Sequence, residues 1–252
     1  GIDVDANSTV TSLEVGHITP VSIADGVTLS GGVEVSAGSL KLTETGTLAT
    51  TVAMSGGTLD ADETATLSGG LTQSGNITID VLTDKTLSYS GASLNLGANT
   101  LTLSGGGTLN NTNALVLNNA DSLLTLSGIT TLGDIEGTTL SNAGKGVSVT
   151  SSATMGDYDL SALSYLSIGG AGVTLAGQLN LNPGGEIFTS GAGKYTGDIE
   201  LAGGAFNASD GLTLDGTVSI TADSEIKVTD TLTLSQAGGL ALGENTLTLS
   251  GG

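Results

Sequence analysis

The sequence of 252 residues predicts an all-β fold in which the chain winds as a single-stranded parallel β-helix, also called a β-solenoid. Three observations predict this fold: an aliphatic, glycine-rich composition, a long internal repeat, and a short period of strand-sized apolar pairs. Together they predict roughly triangular coils of about 18 residues, each made of three strand-and-corner units. We expect one continuous solenoid over residues 1–252.

The composition differs from that of an ordinary globular protein. The chain has 41 glycines, about twice the usual share of roughly 7%, and it has no cysteine, no tryptophan and only 2% aromatic residues. Yet 38% of the residues are hydrophobic, nearly all of them aliphatic, which is too many for a disordered, highly charged chain. A thin, evenly layered core of small aliphatic side chains fits this inventory.

The long repeat is visible by direct comparison of two segments. Residues 94–106 read LNLGANTLTLSGG and residues 240–252 read LALGENTLTLSGG, which differ at two positions and lie 146 residues apart. The match extends backwards, so that residues 1–106 correspond to residues 146–252 with a few one-residue gaps. Residues 107–145 are the remaining part of the repeat. Such a period predicts a tandem architecture.

A shorter period lies inside the long one. Apolar residues at i and i+2 recur every six or seven residues, as expected for short strands whose alternate side chains face inward. Thr and Ser fill the outward positions, and glycine pairs or Ser-Gly mark the corners between strands. The string TLSGG recurs at 28–32, 66–70 and 102–106, which corresponds to two coils per step. The apolar pairs are Val27/Leu29, Val33/Val35, Leu40/Leu42, Val52/Met54, Leu94/Leu96 and Leu101/Leu103.

Helical periodicity is nearly absent along the chain. The least regular segment is Asp157–Leu166, which reads DYDLSALSYL, and we expect a loop or a short turn there. No apolar run approaches the roughly 20 residues of a membrane-spanning helix, so the sequence predicts no membrane span.

The charge is strongly unbalanced, with 25 acidic residues against five basic ones and a formal net charge of −20. A chain without arginine lacks the usual side chain for phosphate recognition, so nucleic acid is not an expected partner. Self-repulsion that keeps the chain in solution explains the acidic surface most simply. The five basic residues are the lysines at 41, 85, 145, 194 and 227.

Calcium binding is an alternative interpretation of the acidic residues. The densest groups of carboxylates are Asp3 with Asp5, and Asp60 with Asp62 and Glu63. None of them has the spacing of a calcium-binding loop, and the glycine-aspartate repeat of calcium-binding β-rolls is absent. The sequence therefore predicts no metal ligands.

A carbohydrate-active enzyme is a further alternative, because some parallel β-helices cleave polysaccharides. The chain has one histidine, His17, in a context that forms no motif, and it has no arginine for substrate carboxylates. Carboxylates at i and i+2 occur at Asp3/Asp5, Asp60/Asp62 and Asp157/Asp159, where solvation explains them better than acid–base catalysis. We expect no catalytic residue, no cofactor and no enzymatic activity.

Ice binding is the last alternative, since flat Thr-x-Thr arrays on a solenoid can bind ice. The pattern occurs at Thr100/Thr102, Thr231/Thr233 and Thr246/Thr248 but is not sustained once per coil. Threonine is also simply a favourable outward residue in strands.

The long repeat provides an internal test of these alternatives. The strand leucines, valines and isoleucines and the corner glycines recur between the two copies, whereas the charged positions mostly do not. Glu34 aligns with Asn180, and Asp60 aligns with Asn207. Repetition thus specifies a scaffold and leaves the outward surface free to vary.

Several strings resemble the strand repeats of bacterial autotransporter passengers and filamentous-haemagglutinin-like adhesins. They are GGTL at 56–59, LTLSGGGTL at 101–109 and NTLTLSGG at 245–252. The resemblance implies a right-handed parallel β-helix that is secreted to the bacterial cell surface and serves there as a non-catalytic stalk or adhesin. It carries over no functional residues.

The partners expected on this basis are host cell-surface or matrix components, or other copies of the chain. The last residues read SGG in the middle of a repeat, with no polar cap. An uncapped coil offers unpaired backbone groups, so the sequence predicts either end-to-end stacking into a filament or a longer parent array.

Overall fold

The computed structural model describes residues 2–16, 21–24, 26–43, 45–208, 212–228 and 239–251, without the side chains of Ile2 and Val21. The described residues form short β-strands joined by turns and bends, and they contain no helix. The all-β prediction is therefore confirmed.

The strands up to residue 111 are β1 (Ile2–Val4), β2 (Ser8–Val15), β3 (Val21–Ile23), β4 (Thr28–Val35), β5 (Ser39–Leu42), β6 (Thr47–Leu48), β7 (Val52–Met54), β8 (Thr58–Ala61), β9 (Ala65–Leu67), β10 (Leu71–Gln73), β11 (Ile77–Val81), β12 (Thr86–Tyr89), β13 (Leu94–Asn95), β14 (Thr100–Ser104) and β15 (Thr108–Asn111). Three more follow, namely β16 (Leu115–Leu117), β17 (Leu123–Ser127) and β18 (Thr131–Leu132).

The remaining strands are β19 (Ile135–Gly137), β20 (Gly146–Val149), β21 (Ala153–Leu160), β22 (Leu163–Ile168), β23 (Thr174–Leu181), β24 (Glu186–Ser190), β25 (Lys194–Tyr195), β26 (Ile199–Ala202), β27 (Ala205–Ala208), β28 (Thr213–Leu214), β29 (Val218–Ala222), β30 (Ser224–Val228), β31 (Leu240–Ala241) and β32 (Leu247–Gly251).

Two compact units are distinguished. Unit 1 comprises Gly1–Leu115 with Ser127–Gly133, and unit 2 comprises Val116–Leu126 with Asp134–Gly252. The boundary between them falls inside residues 107–145, the stretch that has no counterpart in the long repeat.

Each unit is a β-solenoid of parallel strands. In unit 1 one sheet runs β1, β3, β5, β8, β11, β14, and in unit 2 the corresponding sheet runs β17, β20, β22, β24, β27, β30, β32. We call these the first sheets of the two units. A coil contributes three strands, as in β5, β6 and β7, before β8 returns beside β5. The predicted parallel β-solenoid is thus confirmed.

The coils are about 20 residues apart, which is longer than the predicted 18. Leu40 pairs with Leu59, 19 residues on, whereas Ile79 pairs with Leu103, 24 residues on. The added residues lie in corners such as Leu82–Lys85, where the Lys85 N–H donates to the Leu82 carbonyl across 3.0 Å. Outward corners accept insertions because few contacts depend on their length.

The core consists of inward ladders of aliphatic side chains. All twelve members of the apolar pairs singled out in the sequence are buried, with no more than 6% of any side chain exposed. Most of them lie opposite a buried counterpart one coil away, as Val33 does with Val52 and Leu29 with Leu48. Full burial of one such side chain contributes about 1.5–3 kcal/mol, so the stacked ladders supply most of the stabilisation.

The segment Asp157–Leu166, where a loop or a short turn was expected, is mostly strand, and the turn in it is limited to two residues. The segment contains most of β21 and the start of β22, with a two-residue corner at Ser161–Ala162. The inward positions here include Tyr158 and Ser164, whose hydroxyls are 2.8 Å apart, and this polar pair hides the usual aliphatic pattern. Tyr158 is fully buried, and burial raises the pKa of its phenol.

One corner of unit 2 requires glycine because backbone from neighbouring coils meets there. A Cβ atom built on Gly197 would lie 1.7 Å from the carbonyl oxygen of Gly177, and one on Gly216 would lie 1.8 Å from that of Gly197. No side chain fits at such distances, so close coil-to-coil contact explains this glycine column.

Side-chain oxygens at other corners accept a backbone N–H from the next coil. Asn76 Oδ1 accepts from the Thr100 N–H at 2.8 Å, and Asp223 Oδ1 accepts from the Thr246 N–H at 2.8 Å. Asn76 and Asp223 occupy equivalent positions in the long repeat, so this polar feature recurs although most charged positions do not. The bond satisfies a backbone N–H at or just before the start of the strand one coil on, as a cap does for a helix.

Gln73 is a polar residue on an inward ladder of unit 1. It lies opposite Met54, its amide nitrogen donates to the Thr100 carbonyl at 2.9 Å, and its buried Oε1 has no hydrogen-bond partner. The equivalent residue in the second copy is Ile220, which is 3% exposed. An unpaired buried acceptor costs about 1–3 kcal/mol.

We predict that Leu103→Asp lowers the free energy of unfolding by at least about 3 kcal/mol, because Leu103 is fully buried and the new carboxylate has no partner. Glu34→Gln is the control, since Glu34 is exposed and should melt as the parent chain does. Thermal melting followed by circular dichroism measures both, and equal melting temperatures would contradict the inward assignment.

Gln73→Ile should raise the free energy of unfolding by about 1 kcal/mol, because it removes an unpaired acceptor and installs the residue of the equivalent position. The reverse change, Ile220→Gln, should lower it by a larger amount. Chemical denaturation of both variants tests the pair, and a less stable Gln73→Ile chain would show that this amide is needed.

Asn76→Ala should lower the free energy of unfolding by about 1 kcal/mol through loss of the corner hydrogen bond. Asn76→Asp should keep most of the stability, because an aspartate already makes this contact at Asp223. Denaturant titration distinguishes the two variants, and equal destabilisation by both would argue against the corner contact.

Candidate functional site

Outward residues form columns on the first sheet of each unit, because the coils stack in register. In unit 2 the column contains Tyr165, Phe188, Asn207, Lys227 and Ser250, each the strand partner of the next. Inward Leu166 and Ile187 lie beside the first two and fix them on the outer face through strand alternation. We call Tyr165, Phe188 and Asn207 the outer strip.

The two aromatic rings of the outer strip stack on each other. Their centroids are 5.5 Å apart with an angle of 24° between ring planes, and Phe188 is 36% exposed. The chain has four tyrosines and two phenylalanines, and the other four rings are all buried in the core. Aromatic side chains therefore lie on the outer surface at this one place. Offset stacking adds about 0.5–1.5 kcal/mol to such a pair.

Asn207 continues the strip next to Phe188. Its amide nitrogen donates to Glu186 Oε1 at 2.8 Å, and only 7% of the residue is exposed. Glu186 lies one coil back and two residues before Phe188 on β24. This hydrogen bond holds the Glu186 carboxylate and the Asn207 amide in fixed positions near the Phe188 ring.

An open groove of about 550 Å³ lies next to the outer strip on the side of Glu186, and none of the three strip residues lines it. Its lining includes two glycine pairs, Gly184–Gly185 and Gly203–Gly204, and the acidic residues Glu186, Asp223 and Glu225. The volume lies within the range of small-ligand sites, although such sites are usually more enclosed.

Packing explains the glycines of the groove. A Cβ on Gly185 would lie 2.3 Å from the Leu160 carbonyl oxygen, and one on Gly204 would lie 2.6 Å from the Gly185 carbonyl oxygen. These corners lack side chains because coils meet closely, and the groove follows from that absence.

The carboxylates of the groove all accept hydrogen bonds. Glu186 accepts from Asn207, Asp223 accepts from the Thr246 N–H, and Glu225 accepts from the Ser250 hydroxyl. Each carboxylate retains lone pairs for a second donor. The arrangement can therefore accept hydrogen bonds from hydroxyl groups beside an exposed apolar ring.

The equivalent column in unit 1 is chemically different. The long repeat aligns Lys41 with Phe188, Asp60 with Asn207 and Asp80 with Lys227. The strand registers then place Ser22, the partner of Lys41, at the position of Tyr165, the partner of Phe188. Lys41 Nζ lies 3.2 Å from Asp60 Oδ2 and 2.7 Å from Asp62 Oδ2. One scaffold thus carries a charged column in one copy and an aromatic and amide column in the other.

These ion pairs bear on the carboxylates considered for calcium. Asp60 and Asp62 share Lys41, and Glu63 pairs with Lys85, whereas Asp3 and Asp5 are exposed. Within the described ranges, no group of three or more histidine, aspartate or glutamate side chains is arranged to hold a metal ion.

Protonation of the charged column follows from its surroundings. Burial raises the pKa of the Asp60 carboxyl above its ordinary value, the charge of Asp62 adds to the rise, and Lys41 opposes it. The hydrogen bond to Asp62 raises the pKa of Lys41. The column is an interlinked set of charges at neutral pH, as expected of exposed ion pairs.

The remaining residues considered in the sequence lie apart from the strip. Asp157 and Asp159 face outward on either side of buried Tyr158, and desolvation with the charges of Asp134 and Asp159 raises the pKa of Asp157. His17 lies outside the described residues.

The threonine pairs do not form a two-column array where the structure describes them. Thr102 lies in a column with Thr78 and Thr58, but Thr100 follows Asn76 of the preceding coil, whose Oδ1 accepts from the Thr100 N–H. Thr246 precedes β32 and Thr248 lies within it, and Thr231/Thr233 lie outside the described residues.

Sequence reasoning missed the outer strip. The alternation in LSYLSI and EIFTS places Tyr165 and Phe188 outward, but their contact depends on a coil of 23 residues. The predicted spacing of about 18 residues does not bring them together.

The described residues contain no helix that is long and apolar enough to cross a membrane. Comparisons with models of protein families, with curated proteins and with solved structures give no match. The structure itself defines the class: the chain is a β-solenoid built from tandem parallel coils.

Proposed function

We propose that this chain is a non-catalytic structural and adhesive module, secreted to the bacterial cell surface. The observation that carries the proposal is the contrast between inward and outward positions of the long repeat. Leu59 and Phe206 occupy equivalent core positions, as do Leu40 and Ile187, so apolar residues are kept inside. The outward column changes from charged to aromatic and amide character.

This contrast supports a display role for the solenoid. An enzyme would depend on one fixed set of reacting groups, whereas a display scaffold needs only rigid positions on which surface chemistry can differ. The stacked coils supply such positions, because every outward residue is held between its counterparts one coil away. The resemblance to adhesin strand repeats supports the surface location.

The partners proposed are host cell-surface or matrix components, or other copies of the chain. The net charge of −20 disfavours polyanionic partners through repulsion. Backbone pairing between coils is the mode by which two copies would associate end to end.

We predict that the purified chain binds to host-cell or matrix-coated surfaces and does not degrade polysaccharides. Binding is measured by surface plasmon resonance, with turnover of neutral and acidic polysaccharides measured in parallel. Phe188→Lys with Asn207→Asp is the matched variant, because both new residues already occupy these positions of the repeat in unit 1.

Three results of this experiment are informative. Binding that weakens in the variant would support display by unit 2, whereas binding that persists would place the contact on another face. Release of sugars by the parent chain would refute the non-catalytic proposal. Electron microscopy of the same samples tests self-association, and dispersed monomers over a range of concentrations would contradict end-to-end stacking.

A further inference from the structure

We propose that the outer strip of unit 2, with Glu186, is a binding site for an uncharged saccharide. The inference rests on the proposed display function and names the class of ligand that this surface takes. Its starting point is the placement of the aromatic rings, since all others in the chain are buried.

An exposed Phe188 is unexpected on a surface whose other outward strand positions are mostly polar. Removing its ring from water is favourable, and the bare face of a pyranose ring, which carries C–H groups, is a suitable cover. Tyr165 stacks against it from the neighbouring coil and holds the ring in place. The pair therefore forms a small, rigid apolar platform.

Polar groups next to the platform fit the hydroxyl groups of a sugar. The hydrogen bond between Asn207 and Glu186 orients a carboxylate that accepts further donors at the edge of the rings. A ring stacked on Phe188 would place its equatorial hydroxyls towards these groups. One apolar face beside fixed acceptors is the chemistry that a sugar needs.

The electrostatics select an uncharged ligand. Glu186, Asp223 and Glu225 line the groove, and the chain as a whole carries a net charge of −20, so uronic acids and sulfated sugars are repelled. Exposed Lys227 follows Asn207 in the same column and disfavours a free amine there. A neutral glycan meets neither penalty.

The geometry of the strip also favours an extended glycan over a single sugar. Successive coils are separated by about 4.8 Å, which is close to the length of one pyranose ring. The column from Tyr165 to Lys227 spans four coils, and from the second coil onward the neighbouring outward residues Glu186, Ala205 and Glu225 line the open groove. A linear chain of sugars lying along the column would meet a new outward residue at each ring.

The test uses the whole chain and neutral hexasaccharides of glucose, mannose and galactose, studied by isothermal titration calorimetry. Tyrosine fluorescence provides a second readout, because the chain has no tryptophan and Tyr165 is the one tyrosine that is not buried. We expect binding of at least one neutral hexasaccharide, together with protection of Tyr165 from an aqueous quencher.

The two site variants place the residues of unit 1 at the equivalent positions of unit 2. Phe188→Lys and Tyr165→Ser should each weaken binding at least tenfold, while the circular dichroism spectrum stays that of the parent and the melting temperature falls by only the few degrees expected from loss of the stacked pair. Lys41→Ser in unit 1 is the control and should bind as the parent does. A stacked pair with only a stabilising role would change the melting temperature and leave affinity unchanged, which would overturn the proposal.

Charged probes supply the other arm of the test. Binding restricted to glucosamine oligomers with free amines, and lost on acetylation, would assign the site to the carboxylates and overturn the proposal. Binding restricted to polygalacturonate would overturn it as well, as would no neutral binding at millimolar concentration.

Failure of the site and failure of the display function give different results. If the chain binds cells or matrix but no neutral glycan, the saccharide site is wrong and the adhesive module stands. If the parent chain binds a neutral glycan and Phe188→Lys abolishes that binding, but the parent chain does not bind host cells or matrix, the saccharide site stands and the adhesive proposal is wrong.

Discussion

Backbone pairing between successive coils is the interaction on which the rest of this structure depends. Each strand lies parallel to its counterparts in the coils before and after it, so a residue meets the same type of position at every step. Leu40, Leu59 and Ile79 illustrate the result, since each is buried against the next. The inward ladders are therefore mostly apolar, and polar members such as Gln73 and Ser164 make hydrogen bonds to nearby groups.

The same register gives the outer surface its chemistry. The strand register determines which outward side chains from successive coils are neighbours. The two copies of the repeat place different residues at these neighbouring positions. In unit 1 the column is linked by Lys41 with Asp60 and Asp62, whereas in unit 2 Tyr165 stacks on Phe188. The scaffold therefore separates stability, which lies in the ladders and corners, from surface chemistry, which differs between the outer faces of the two units.

The sequence predicted the fold because the fold is local and repetitive. The alternation of apolar and polar residues is enough to predict that pairs such as Val33 and Val35 face inward. The corner glycines mark where each strand ends. The coil length was not predictable, because extra corner residues such as those at Leu82–Lys85 have little effect on the core. The strand around Tyr158 was not predicted, because the inward positions there include a tyrosine and a serine, whose hydroxyls hydrogen-bond to each other, in place of two aliphatic residues.

The candidate site could not be predicted for the same physical reason. Contacts across a face depend on the register between coils, and the register depends on corner lengths that alternation does not reveal. Tyr165 and Phe188 are each recognisable as outward residues, but their stacking follows from a coil of 23 residues. The bond between Asn207 and Glu186 depends on the next coil in the same way.

The glycine column of Gly177, Gly197 and Gly216 has a consequence for how such a chain can change in length over evolution. Each of these corners is fitted against the backbone of its neighbour, so a partial coil inserted between them would shift strands out of register and place side chains where none fit. A duplicated or deleted whole coil restores the same contacts on both sides. Insertions and deletions at these corners are therefore expected to add or remove complete coils. Such changes alter the number of coils and leave the packing of the core unchanged.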